Sequence, residues 1–173
     1  MITASGEAEY KEQGAGMSLF RPSFSRGTGN AMTIQVILLP MFAQVALTFL
    51  LLFWMTLLRL RAVRLGGVQP QQVALREPSW PPRVLQVGNA FHNQLELPML
   101  FYVVVLLALT TKTLDVILYV LSWMFVASRF VHSYIHVTSN RLDRRTAVFL
   151  IGALALALMW VIVFGRVMLL SSA

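Results

Sequence analysis

Long uncharged stretches alternate with short arginine-rich ones along most of this chain, and the alternation predicts four membrane-crossing helices. The first stretch runs from about Ile34 to Leu58 without a charge and closes in Arg59-Leu60-Arg61-Ala62-Val63-Arg64. Gly66-Gly67 and Pro70 break that helix, and a polar loop leads to Trp80-Pro81-Pro82, where proline suits the first turn of the next helix. The second segment spans about Val84 to Thr110, polar in its first half and apolar in its second. Thr111-Lys112-Thr113 turns the chain into a third segment, Leu114 to about Val137, apolar first and polar last. After Asn140-Arg141-Leu142-Asp143-Arg144-Arg145 the fourth covers Thr146 to about Leu170. The expected helices, about 34–58, 84–110, 114–137 and 146–170, each reach the ~20 residues needed to cross hydrocarbon. The predicted fold class is an all-α membrane protein, a four-transmembrane-helix bundle.

Composition agrees with a bilayer as the solvent. Hydrophobic residues make up 57% and charged ones 12%, with mean hydropathy +0.70, whereas about a quarter of a soluble domain is charged. The net charge is +7, but most arginines flank apolar runs, where anchors to anionic headgroups belong, so nucleic acid is not an expected partner. Loops one and three hold Arg59, Arg61, Arg64, Arg76, Arg83, Arg141, Arg144 and Arg145, against Lys112 alone in loop two. The positive-inside rule places loops one and three in the cytoplasm and both termini outside. Residues 1–31 carry scattered charges, glycines and serines without periodicity. They are expected to be a disordered or non-native tail preceding a membrane domain over 32–173, with Met17 and Met32 as alternative starts. The first apolar segment lacks a small-residue cleavage site and is read as a retained helix. With no cysteine in the chain, any thiol chemistry needs a thiol from outside.

The polar intramembrane residues agree about which side they occupy. Gln86, Asn89, Asn93 and Glu96 form one helical stripe, and Arg129, His132 and His136 form another, both at the end where loops one and three lie. Glu96 lies roughly 18 Å along its helix from Val84 at ~1.5 Å rise per residue. A charge at that depth costs at least ~2.5–3.5 kcal/mol and is expected to face the bundle interior with a partner. Glu96 and Arg129 are the natural pair. A structural ion pair and a ligand pocket both remain open, as does a role for Asn89 and Asn93 as interhelical glue. His132 and His136 with His92 and one nearby carboxylate make a poor metal set. Pro98 frees the carbonyl of Gln94 and predicts a kink there.

Asn93-Gln94-Leu95-Glu96 with Pro98 and Phe101 resembles the Asn-x-x-Glu signature in the second helix of the MAPEG family, the membrane-associated proteins of eicosanoid and glutathione metabolism. The resemblance extends to Arg59-Leu60-Arg61 and to Arg129-x-x-His132, covers about Thr33 to Leu170, and is greatest to the family's bacterial branch. It implies a homotrimer in a bacterial inner membrane, with glutathione as co-substrate folded between neighbouring subunits. On that pattern Asn93 and Glu96 would hold glutathione's backbone and amino group. Arg59 and Arg129 would take carboxylates, with His132 beside Arg129. Gln86, Asn89, His136 and Arg141, polar residues at the same end of the bundle, are further candidates for binding glutathione. Arg145 or Arg144 would stabilise the thiolate, because a neighbouring cation favours that form of sulfur.

Departures are visible too. Asn89 stands where family enzymes often carry Arg or Gln, His136 stands where some place a tyrosine, and Pro98 follows Glu96 closely. The activity implied is a glutathione transferase or peroxidase acting on a lipophilic electrophile or hydroperoxide drawn from the membrane lipids. The alternatives are a non-enzymatic lipid-binding or scaffolding protein on the same fold, and a small transporter or proton relay.

Overall fold

The computed structural model describes residues 34–69, 73 and 80–170, so the tail expected over 1–31 lies outside the described residues. The described chain forms α1 (Ile34–Arg64), α2 (Pro82–His92), α3 (Leu97–Thr110), α4 (Val116–Val137) and α5 (Leu142–Leu170). Four spans are long and apolar enough to cross a membrane, with α2 and α3 together making the second. The protein is an integral membrane protein with an all-α four-helix bundle. α4 packs along α5, α1 packs against α2 and α4, and α3 packs against α5.

Three boundaries differ from the sequence expectation, each for a local reason. α1 continues past Leu58 through its arginines to Arg64, since Arg is a good helix former and a cation suits a helix C-terminus. α5 starts at Leu142 and not Thr146, which puts Arg144 and Arg145 inside the helix. The second span is interrupted outright and not merely kinked. Pro98 has no N–H to give to Gln94, and its ring crowds that carbonyl. The chain first tightens, with Gln94 N bonding Phe91 O and Leu95 N bonding His92 O, both at 2.9 Å. It then turns at Glu96 (φ −97°, ψ −102°) and restarts as α3.

Hydrocarbon lies on both sides of most residues here, so packing quality and polar satisfaction hold the bundle more than water exclusion does. In the apolar half, Phe101, Val104 and Val105 of α3 meet Leu118, Phe125 and Val126 of α4 and Leu156, Met159 and Val163 of α5. Phe101 and Phe125 stack with centroids 4.7 Å apart. In the other half, Leu47, Leu51 and Met55 of α1 close over Val87 and Ala90 of α2 and Val137 of α4. Phe42, Phe49, Phe53, Leu154 and Phe164 stand on the outside, where lipid covers them.

Polar bonds fasten both ends. At the apolar end, Arg166 of α5 donates to Thr113 O and to Asp115 Oδ2, each at 2.6 Å, tying α5 to the α3–α4 turn. Asp115 also caps α4 by accepting from Leu118 N at 3.0 Å. The hydrogen bond from Arg166 holds the Asp115 carboxyl below its ordinary value. Its stabilising contribution is therefore complete above the usual carboxylate range and fades as pH falls through the lowered value. Asp115→Ala is expected to lose about 1–2 kcal/mol, mostly the cap. Melting curves in detergent should show the variant below the wild type at neutral pH, with the gap closing in acid. A constant gap across pH would contradict the ion pair's share.

Candidate functional site

Arg129 is the largest side chain withdrawn from the surface, at 0% exposure in the middle of α4. Two phenylalanines flank its guanidinium, Phe125 at 5.4 Å and Phe149 at 4.9 Å from the ring centroids. Its Nη2 donates to Phe149 O at 3.3 Å, while Nε and Nη1 are buried without an acceptor. Room for this arrangement comes from Gly152 of α5. A Cβ there would stand 2.1 Å from Ser128 Oγ and 2.9 Å from Arg129 Nη2, so α4 and α5 approach this closely only over a glycine.

One and two turns further along α4, His132 and His136 are each 3% exposed, with rings 5.9 Å apart edge to face. Arg145, from the first turns of α5, lies 3.1 Å from His136 Nε2 through Nη1, which also donates to Asn140 Oδ1 at 2.8 Å. A guanidinium only donates, so His136 Nε2 accepts and the ring proton sits on Nδ1. The Nδ1 atoms of both histidines are buried without a partner.

A cavity of about 180 Å³ opens beside these groups, lined by Asn93, His132, Arg145, Thr146 and Phe149. Among the described residues no carboxylate lines it. With Arg145 on its wall and Arg129 stacked on its lining residue Phe149, the cavity suits an anion.

A second cavity of about 380 Å³ is lined by Arg59, Asn89 and His92 together with apolar residues including Met55, Val84 and Trp80. Arg59 stacks on Trp80 at 5.2 Å from the ring centroid, and its Nε is buried without a partner.

Thus the residues that the sequence placed in one constellation divide. Asn93, His132 and Arg145 share the first cavity, with Arg129 and His136 adjoining it, while Arg59 and Asn89 line the second. Gln86 lines neither cavity in this chain. Its amide donates to His136 O at 2.7 Å and to Thr138 O at 3.3 Å, and beside it Arg83 donates to Val137 O. These two α2 side chains cap the C-terminus of α4, whose last carbonyls have no partners within the helix. Arg141 bonds Asp143 at 3.0 Å on the exposed surface, and Arg144 is exposed and lines neither cavity.

The expected pair of Glu96 with Arg129 does not form. Among the described residues the ion pairs are Arg141–Asp143 and Arg166–Asp115. The break before α3 leaves Glu96 exposed, acting on buried Arg129 only through space. Phe149, Thr146 and Gly152 were not singled out from the sequence. Phe149 stands one turn after Arg145, a spacing that puts both on one helix face once α5 is known to begin before Arg145.

Fold and pocket together define an integral membrane bundle with a cationic cavity at its arginine-rich end. The MAPEG family model matches residues 37–165, and the chain belongs to the MAPEG family. Comparisons with curated proteins and with solved structures found no match.

Gly152→Ala is expected to force α4 and α5 apart and to lower stability by about 1–3 kcal/mol, the usual range for overpacking. Adding Ser128→Ala removes the nearest clashing atom and should recover part of the loss. Thermal melts of the single and double variants read this directly, and no recovery in the double variant would show that the contact is not the cause.

Proposed function

We propose that this protein is a glutathione-dependent membrane enzyme, of transferase or peroxidase type, acting on a lipophilic electrophile or hydroperoxide. The observation that carries the proposal is the cavity walled by Arg145 and His132, with no carboxylate among its described lining residues, and adjoined by Arg129, whose Nε and Nη1 are buried without an acceptor. Membership of the MAPEG family, which includes glutathione transferases and peroxidases among other members, supports it.

In this proposal Asn93 and Glu96, at the break, hold glutathione's backbone and amino group, and Arg129 draws in a carboxylate. Arg145 stabilises the thiolate, whose sulfur bonds to the electrophilic carbon as that carbon's bond to its leaving group breaks and the group departs with the electron pair. With a hydroperoxide the sulfur attacks the terminal oxygen, the O–O bond breaks and the alcohol leaves after protonation. A second glutathione then displaces water from the sulfenic acid to give the disulfide. A cation beside sulfur favours the nucleophilic form, and the apolar surroundings strengthen that interaction. Sites that enclose drug-sized ligands run to about 300–1,000 Å³, so a cavity of about 180 Å³ holds one arm of the tripeptide. A neighbouring copy in a homotrimer, presenting its Arg59 and Asn89 cavity, supplies the remaining wall. Glutathione reaches the site from the cytoplasm at the end of the bundle where loops one and three lie, and the acceptor reaches it from the bilayer.

A second reading, a non-enzymatic lipid binder, draws support from two features. Arg145 Nη1 is already engaged by His136 and Asn140. An apolar groove of about 210 Å³ between α1 and α4 is lined by Leu50, Trp54, Phe130 and Tyr134, among others.

Purified protein in detergent should gain melting temperature with millimolar glutathione and conjugate a generic electrophile. Arg145→Ala should cut kcat on the order of 10²-fold, the usual loss on removing one electrostatic stabiliser, while glutathione still raises the melting temperature. No conjugation together with an unmoved melting temperature contradicts the enzyme, and co-purified lipid in mass spectrometry would then favour the second reading.

A further inference from the structure

Gln94 lies inside the helix break, next to Asn93, yet takes no part in lining either cavity. Its side chain turns inward and is 1% exposed. Its Oε1 accepts from Gln44 Nε2 of α1 at 2.8 Å, and its Nε2 donates to Ser133 Oγ of α4 at 2.9 Å and to Ala90 O of α2 at 3.3 Å. One amide thereby ties the interrupted span to two other helices, α1 and α4, and back to its own α2. Gln44 is itself 0% exposed. Hydrocarbon offers no replacement partners, so swinging Gln94 outward would forfeit each of these bonds.

The neighbours of the two bonded residues are what make this consequential. Asn93 precedes Gln94, and His132 precedes Ser133. Asn93 and His132 both line the cationic cavity, whereas Gln94 and Ser133 meet outside it. A bond that fixes Gln94 against Ser133 therefore fixes Asn93 against His132. Without it the break has no side-chain anchor to α4 at this level, because no hydrogen bond joins Asn93 or Glu96 to α4 among the described residues.

We propose that Gln94, anchored by Gln44 and Ser133, is a positioning residue of the cavity, setting the register of Asn93 against His132 and through it the affinity for glutathione. This rests on the functional reading above as far as the ligand is concerned; the anchor itself is testable without any ligand.

The experiment compares wild type with Gln94→Met, Ser133→Ala, Ser133→Thr and the double variant Gln44→Leu with Gln94→Met, the last leaving no orphaned amide should the single variant fold poorly. Thr keeps the hydroxyl, and its methyl has the groove that adjoins Ser133. Amide hydrogen exchange is read at residues 93–96 relative to α3, and glutathione affinity is read by melting-temperature titration. Gln94→Met, Ser133→Ala and the double variant should exchange faster at the break and bind glutathione about tenfold more weakly, the worth of one good hydrogen bond. Ser133→Thr should return to within about threefold of wild type, and kcat at saturating glutathione should move less than KM.

Unchanged exchange at 93–96 overturns the anchor. Faster exchange with unchanged affinity overturns the positioning role while leaving the functional reading intact. A wild-type protein blind to glutathione overturns that reading and, with it, the positioning of this ligand.

Discussion

A guanidinium withdrawn wholly from the surface inside a membrane bundle sets terms for everything around it. Arg129 is accommodated by the faces of Phe125 and Phe149, by the Phe149 carbonyl and by the missing side chain at Gly152. Each cation–π contact contributes about 0.5–2 kcal/mol. Placing the charge mid-membrane costs at least ~2.5–3.5 kcal/mol, so these contacts offset the burial in good part. They do nothing for Nε and Nη1, which remain donors without acceptors. Each such donor costs about 1–3 kcal/mol. In the proposed function these two atoms are the donors that a carboxylate would satisfy.

The helix break serves the same end from the opposite wall. An unbroken second span would carry Asn93 and Glu96 on a continuous stripe, each limited by helical geometry. Interruption by Pro98 turns Gln94 into the bundle, Asn93 to the cavity and Glu96 to the outside within four consecutive residues. Polar backbone at membrane depth is tolerated only where protein or a wet cavity receives it. Here the Gln94 side chain donates to the Ala90 carbonyl, and the amides of Asn93, Gln94 and Leu95 bond back to carbonyls of α2. The capping of α4 by Arg83 and Gln86 then holds the far end of the His132–His136 stripe in place.

Much of this could be read along the chain. The four spans follow from runs of apolar residues long enough to exceed the hydrocarbon thickness, a signal that needs no tertiary information. The Arg129, His132 and His136 stripe is equally legible, since helical spacing alone aligns the three, and the structure buries all of them. What misled was the assumption that opposite charges at similar depth must meet. Glu96 and Arg129 lie at similar height, but the depth of Pro98's effect on the backbone decides where Glu96 points, and spacing rules hold only within an unbroken helix. Gln86 shares the stripe of the candidate ligand set, and its amide also bonds the orphan carbonyls at the end of α4, a need visible only once two helices are docked. Gly152 carries no signal of its own in an apolar run. Its importance comes from the side chain that faces it.

The central claim is that Arg129 is held ready for a carboxylate. Solid-state NMR in lipid bilayers can test it with arginine-guanidinium ¹⁵N labels and glutathione labelled with ¹³C at one carboxyl or the other, comparing wild type with Arg129→Lys. The account requires that one of the two carboxyl labels shows a close nitrogen contact in the wild type that vanishes in the variant. If neither label's contacts depend on Arg129, the buried charge has some other purpose and the account fails.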